Sequence, residues 1–448
     1  METNYSRRSF IKKTGVGAVG LAVGGVLPGF SASSYSRIMG ANERIQVAVI
    51  GVNSRGDQLA NSFVRLDACE IAAICDVDKR AIEKCIANVK KTQSRTPKGE
   101  RDFRRMLEDK QIDATVIAMP DHWHVPAALL SLQAGKHVYL EKPVSHNPRE
   151  GEMLVEATAK YGKTVQIGTQ RRSFPKVTEA IKRVQNGDIG NVHFGKVWVT
   201  GNRPSIGTGK IAAVPDWLDW NMWQGPAPRT VYKDNIVHYN WHWFWQWGTG
   251  ETLNNGTHMI DLFCWGLNVK YPTRVFAMGN RYYYQDDWET PDTQIVNIEF
   301  GDKLSVLCEI YCVNSKRIEN SSVGVLFCGD KGSLFLGSND YKIFDMSGKE
   351  VENVESNMQV DPQNRTNPSP GGDALHILNF FDGIRKGIPV NAPPETGHRA
   401  TLLMQLSNIS ARIGRSININ PADGRIINDS EAQRFWGRSY EPGWEPRI

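Results

Sequence analysis

The sequence predicts an α/β protein of two domains: a doubly wound parallel sheet, then an α+β region built on an antiparallel sheet. Three observations carry this. Short β-branched runs alternate with helical stretches from Arg44 to Gly168. A glycine turn, Gly51-Val52-Asn53-Ser54-Arg55-Gly56, follows the first of those runs directly. From Arg274 to Leu336 the pattern changes to period-two apolar runs joined by glycine-bearing turns, which suits an antiparallel sheet with one buried face.

The chain has 448 residues, 40% of them hydrophobic and 23% charged, enough for two sizeable cores. Its net charge of +5 comes without a basic block, so composition gives nucleic-acid binding no support. Seven cysteines in no regular framework argue against a disulfide scaffold; they read as buried small hydrophobes. At the front, Ser6-Arg7-Arg8-Ser9-Phe10-Ile11-Lys12 precedes a Gly/Ala/Val-rich run from Val16 to Leu27, and small residues follow to Ser34. This is the pattern of a twin-arginine export signal, expected over residues 1–32 with removal near Ala32 and a linker over 33–43. The run is too short and glycine-rich for a stable membrane span, although an uncleaved anchor is the competing reading. The expected location is therefore the periplasm.

The first strand is Ile45 to Ile50. In the turn after it, Gly51 and Gly56 hold the first and third places of a dinucleotide-binding fingerprint, and Asn53 replaces the second glycine. A helix from Arg55 to about Leu66 would aim its N-terminus at phosphates. The second strand, Glu70 to Ile74, ends in Cys75-Asp76. Asp76 falls 20 residues after Gly56, where an acid binds the adenosine ribose, so NAD is expected over NADP. Lys79 and Arg80 keep NADP as the second option, and a helix N-cap is the structural alternative for Asp76.

A strand from Asp113 to Met119 leads into Pro120-Asp121-His122-Trp123-His124 and a helix from Val125 to Gln133. The two histidines lack partners at metal-ligand spacing, so no metal is expected. Contact with the nicotinamide half of the cofactor, or loop packing, is the reading for both. Gly135-Lys136-His137-Val138 then runs into Glu141-Lys142-Pro143 at the carboxyl edge of the sheet, where open α/β sheets bind ligands. A helix from Pro148 to Tyr161 and a strand from Thr164 to Ile167 complete the unit.

This succession resembles the Gfo/Idh/MocA oxidoreductases, most closely from Asp113 to Arg171. The resemblance implies a Rossmann domain over 44–168, a substrate-binding and oligomerisation domain with a large, mostly antiparallel open sheet over 169–420, and a tail over 421–448. It gives Lys142 contact with both the substrate hydroxyl and the cofactor. It places Met119, Pro120, Glu141 and Gln170 with Gly51, Asn53, Arg55, Gly56 and Asp76 around the dinucleotide, and Arg171 at the cleft. Assembly as a dimer or tetramer is implied by the same likeness.

Residues Asn202 to Gly250 hold seven of the 13 tryptophans. Trp241-His242-Trp243-Phe244-Trp245-Gln246-Trp247 alternates as a strand would, with one face aromatic. That face is either core or a stacking surface for sugar rings, which makes Trp241, Trp243 and Trp245 candidates for carbohydrate contact. His238 and His242 are possible partners for substrate hydroxyls. In Asn254-Asn255-Gly256-Thr257-His258-Met259-Ile260-Asp261, His258 matches the family's catalytic histidine and Asp261 its later acid. Asn254 stands where many members carry Asp. An amide cannot act as a base, so proton transfer falls to Lys142 and His258. Residues 346–372 read as loop, and Asp373 to Arg385 and His398 to Ile413 as helices.

The expected activity is hydride transfer between a carbohydrate ring carbon and a tightly bound NAD. Two alternatives are a redox-neutral, NAD-dependent glycosidase and a binding protein that has lost the chemistry.

Overall fold

A computed structural model describes residues 44–356 and 370–448; the residues read as an export signal lie outside them. In the first half, strands and helices alternate as β1 (Ile45–Ile50), α1 (Arg55–Val64), β2 (Cys69–Cys75), α2 (Lys79–Val89), β3 (Lys98–Glu100), α3 (Phe103–Leu107), β4 (Ala114–Ile117), α4 (Asp121–Gln133), β5 (His137–Leu140), α5 (Pro148–Tyr161) and β6 (Val165–Ile167). The six strands pair in parallel in the order β3-β2-β1-β4-β5-β6. Central strands such as β1 and β4 are buried along almost their whole length, because helices cover both faces. The order reverses between β1 and β4, and the crevice at that switch point is where such sheets take ligands.

The second half contains α6 (Pro175–Gln185), β7 (Val192–Asn202), α7 (Trp220–Gln224), α8 (Gly250–Asn254), α9 (Gly256–Leu267) and the strands β8 (Arg274–Asn280), β9 (Thr293–Glu299), β10 (Ser305–Tyr311), β11 (Val313–Asn314), β12 (Val323–Gly329), β13 (Ser333–Leu336), β14 (Tyr341–Phe344) and β15 (Glu350–Val354). Helices α10 (Pro370–Lys386) and α11 (Pro394–Ile413) and strand β16 (Ile417–Asn418) follow. The ten-stranded sheet is antiparallel except where β10 runs parallel to β7. β9 and β10 bury every second residue, so Val296, Ile298, Val306 and Ile310 meet α6, α9 and α11 while the opposite face stays open. Helix α10 returns to the first sheet and packs Ile377, Phe380 and Phe381 onto β1 and α1. No helix among the described residues is long and apolar enough to cross a membrane. The seven cysteines are free, six of them buried.

Three expectations need correction, and two strands were missed. The run Trp241–Trp247 is not a strand: Asn240–Trp243 forms a 3₁₀ turn, and the tryptophans scatter. Trp243 stacks on Trp288 at 3.9 Å, Trp247 joins Trp220 and Trp223, and Trp245 lies under the Arg412 guanidinium. Each ring has found its own partner, which outweighs strand propensity. Residues 346–372 are not all loop, since β15 and the start of α10 fall within them. The short β3 and the long β7 were not anticipated, the first for its exposed polar sequence and the second for its mixed one. Finally, α4 starts at Asp121 rather than Val125, so His122 and His124 sit on the helix. Pro126 lies inside that helix and has no N–H to give the His122 carbonyl. Arg438, from the C-terminal tail, supplies the missing donor through Nη2 at 2.6 Å.

Candidate functional site

A cleft of about 490 Å³ lies at the carboxyl edge of the first sheet and is closed from above by residues of the second half. Its floor is the turn after β1. Gly51 has φ +82°, and a Cβ there would lie 2.7 Å from the Ala118 carbonyl oxygen, so only glycine lets β1 and β4 close at this height. A Cβ on Gly56 would fall 1.9 Å from the Gly51 oxygen. Gly56 therefore closes the turn from below and does not line the cleft, whereas Gly51, Asn53 and Arg55 do. Ser54 caps α1 without a side-chain hydrogen bond, and this helix end opens at the cleft floor as an anion site requires.

Asp76 projects from the end of β2. Its Oδ2 accepts from the Val52 N–H at 2.7 Å and its Oδ1 from the Asp78 N–H at 2.9 Å. Burial raises its pKa, and these hydrogen bonds pull the other way. The helix N-cap is Asp78, which accepts from the Arg80 N–H, so Asp76 is left to face the cleft. Arg55 does not reach toward phosphates. Its Nε lies 2.8 Å from Glu141 Oε1, and its two terminal nitrogens hold Asp373 at 2.9 and 2.8 Å. Burial would lower its pKa, but Asp373 and Glu141 outweigh that and push it up. Glu141 also accepts from the Lys142 N–H at 3.2 Å. An ion-pair chain thus fixes the backbone at Lys142.

At the far end, Lys142 Nζ donates to the Asn254 carbonyl oxygen at 2.6 Å and to its Oδ1 at 3.1 Å. Two of three ammonium protons are so committed, and the third is available to a ligand. Burial lowers the Lys142 pKa, while Glu141 and Asp121 resist. His258 lines the same end and is buried; its Nδ1 has no partner among the described residues. Burial first, then the charge of Lys142, holds it well below the usual imidazole range, so it is neutral at pH 7. The helix breaks at Asn255, so Asn254 ends α8 and His258 stands in the first turn of α9. Both still meet at the cleft. Asp261 lies away from it, in a buried ion pair with Arg172 at 2.7 Å.

Several candidates fall elsewhere. His122 is fully buried, with its ring nitrogens on the Trp247 and Trp223 carbonyls at 3.3 and 3.0 Å, and burial pushes its pKa down to about 3. It is core, not cofactor contact. His124 lines the cleft, but both ring nitrogens face the Pro143 and Met119 carbonyls, at 2.6 and 2.8 Å, so it ties the loops together. Arg171 is buried against the Gly337 and Ser338 carbonyls and does not line the cleft; burial lowers its pKa to about 10. Trp243 is core on Trp288. Trp241 does line the cleft, stacked on His242 at 3.6 Å, as do Met119, Pro120 and Gln170. His238 sits at the opposite end from Lys142, 2.9 Å from Asp78, and so faces the ribose side rather than the substrate side.

Four residues missed in the sequence complete the site. Asp121 lines it, its carboxylate accepting from the Thr249 hydroxyl at 2.5 Å; burial raises its pKa. Buried Glu251 stands behind Asn254, accepting from its Nδ2 at 3.2 Å and from Arg203 at 3.2 Å. Arg203 also donates to the Tyr239 hydroxyl at 2.7 Å. Asp121 stands directly before His122, in a run read for its two histidines, while Arg203, Tyr239 and Glu251 come from a region with no recognisable period.

A family model described as an oxidoreductase family with an NAD-binding Rossmann fold matches residues 45–169, and its companion, the C-terminal alpha/beta domain, matches 210–419. An alpha-N-acetylgalactosaminidase of Tannerella forsythia is 31% identical over 208 residues, 42% of this chain and 44% of that protein. A glycosyl hydrolase family 109 protein of Saccharopolyspora erythraea is 29% identical over 206 residues, 43% of this chain and 45% of that one. The chain thus spans less than half the length of these curated relatives. Among solved structures, the WlbA dehydrogenase of Bordetella pertussis, in complex with NADH and UDP-GlcNAcA, superposes with a TM-score of 0.63 at 19% identity, covering 84% of this chain and 99% of that one. Levoglucosan dehydrogenase with NADH gives a TM-score of 0.65 at 16% identity, with the same coverage. These likenesses carry the fold.

Proposed function

Since the chain belongs to the Gfo/Idh/MocA oxidoreductases and carries their NAD-binding domain, we propose that it oxidises a ring hydroxyl of a sugar or glycoside at the Lys142–His258 end of the cleft. The observation that carries this reading is the Lys142 ammonium reaching from the first sheet to Asn254, beside a neutral, buried His258. Asp76 would hold the ribose of NAD and the α1 N-terminus its phosphates, and the bound cofactor would supply the hydride acceptor. The third N–H of Lys142 orients the substrate hydroxyl. Neutral His258 takes the hydroxyl proton as the carbon–hydrogen bond breaks, and positive Lys142 stabilises the developing alkoxide. Glu251 offsets the charge of Arg203 behind Asn254, so the substrate end suits an uncharged polyol more than an anion. Trp241 offers an apolar ring face for a sugar.

A second reading is favoured by the relatives named alpha-N-acetylgalactosaminidase and glycosyl hydrolase family 109. Oxidation at ring C3 would acidify the C2 hydrogen; its loss would expel the aglycone, water would add across the double bond, and the carbonyl would be reduced again. Atoms and electrons balance with no external oxidant. Incubating the NAD-loaded protein with aryl glycosides and following aglycone release beside NADH absorbance separates the two. Stoichiometric NADH supports a dehydrogenase; aglycone without net NADH supports the glycosidase. Neither signal with any glycoside or free sugar would leave a binding protein.

The same proposal includes export through the Arg7-Arg8 signal, because a recycled cofactor suits a compartment without a free NAD pool. Retention of an Arg7→Lys, Arg8→Lys variant in the cytoplasm would support it; normal export would refute it. Assembly as a dimer or tetramer is proposed through the open sheet face, where Phe276 and Met278 of β8 are exposed.

A further inference from the structure

The end of the cleft that holds Asp76 is the adenosine end, because an acid closing the second strand of such a sheet binds the ribose. One wall there is Asp76, Val77 and Phe103 of the first domain. The facing wall is Met222, Trp223 and His238, which belong to the tryptophan-rich segment of the second domain. That segment is stapled directly to the residues after β2. Lys79 N–H donates to the Trp217 carbonyl and Asp219 N–H to the Val77 carbonyl, each at 3.1 Å, an antiparallel bridge centred on Asp78 and Leu218.

The side chains add a lock. Asp78 is buried, and its carboxylate takes three donors: the Arg80 N–H, the Arg80 guanidinium and, at 2.9 Å, His238 Nε2. The Arg80 guanidinium lies 3.5 Å above the centre of the Trp217 ring, and that ring stacks on His238 at 5.9 Å. Arg80, Trp217 and His238 thus form one stack around one carboxylate, two residues from the ribose-binding acid. From behind, the tail holds the same segment: Glu441 N–H donates to the Pro226 carbonyl at 3.0 Å, and Trp123 donates from its ring N–H to the Met222 carbonyl at 3.2 Å while packing on Trp444.

We propose that residues 217–238 form a strap that encloses the adenosine half of NAD, with His238 as a cofactor-facing residue, and that the lock at Asp78 keeps NAD from leaving between turnovers. The inference rests on the NAD-dependent reading above and adds which residues retain the cofactor. Release of NAD requires the Asp78–His238 contact and the Arg80–Trp217 stack to part, so their loss shows as a faster off-rate.

The test uses the full-length protein loaded with NAD. Dissociation is followed as the NAD remaining bound after dilution into a large excess of an enzyme that degrades free NAD. His238→Ala and Arg80→Ala are each expected to speed dissociation about ten- to a hundred-fold, the equivalent of one charge-assisted hydrogen bond. Arg80→Lys keeps a cation beside Asp78 but loses the planar stack, and is expected to speed release by several-fold. It also covers the case in which an alanine variant misfolds. Wild-type retention in Arg80→Lys and in every correctly folded alanine variant overturns the strap while leaving the NAD reading intact. A wild-type protein that binds no NAD overturns both.

Discussion

The two walls of the cleft are built on different principles. The first-domain wall consists of strand ends and the N-termini of α1 and α4: Gly51, Asp76 and Lys142 each leave the sheet at its carboxyl edge, and the strand ends set their positions. The second-domain wall consists of a helix break at Asn255 and an irregular segment whose rings and charges hold one another. On the first wall a residue's role follows from its place in the chain. On the second it follows from what it packs against, which local pattern does not record.

The contrast can be broken most directly at Lys142. Lys142→Ala is expected to reduce single-turnover hydride transfer to background while NAD binding, measured separately, persists. If NAD binding is lost with it, the regular wall serves binding and not chemistry. His258→Ala is expected to lower turnover about 10²–10⁴-fold. In the double variant the losses should fall short of additive, because the two groups handle one proton.

The irregular wall can be sharpened with two neighbouring tryptophans. Trp243→Ala removes a buried ring stacked on Trp288 and is expected to cost about 3–5 kcal/mol in denaturant unfolding. Trp245→Ala loses an Arg412 contact at the surface and is expected to cost less than about 1 kcal/mol. Equal costs would mean that the alternating pattern described the structure after all.

Acid should also act through buried imidazoles. Burial holds His122 at about 3 and His376 and His398 at about 4. Between those values and the ordinary value near 6.5 the unfolded chain binds protons that the folded chain refuses. Each such histidine therefore lowers stability by about 1.4 kcal/mol per pH unit as pH falls from about 6.5 toward its folded value. Thermal unfolding at pH 7, 6 and 5 should show a falling Tm; a flat profile would show the rings to be charged in the folded state. The smallest effect is expected at Asp76, where Asp76→Ala should narrow the preference for NAD over NADP in a binding titration. Equal affinity of the unaltered protein for both cofactors would already refute the ribose role.

Both sheets were legible in the sequence because burial on two faces, or on one, writes itself as a continuous or an alternating apolar run. Lys142, Gly51 and Asp76 were legible because a strand end fixes them. His122 misled because a histidine beside a motif looks the same whether its ring meets a ligand or two carbonyls. Trp243 misled because a period of two also arises when neighbouring rings turn to unrelated partners. Glu251 and Arg203 left no local trace: their contact spans 48 positions within the second domain and forms only when its helices and loops pack together.

The proline inside α4 has a consequence for the order in which the protein can be finished. His122 waits for a donor that stands 316 positions further along, on Arg438. Behind Trp123 the same late residues, Glu441 and Trp444, brace the cleft wall. The wall over the parallel sheet therefore stays incomplete until synthesis has passed those positions. A chain broken off before Arg438 would leave the His122 carbonyl without the donor that replaces Pro126.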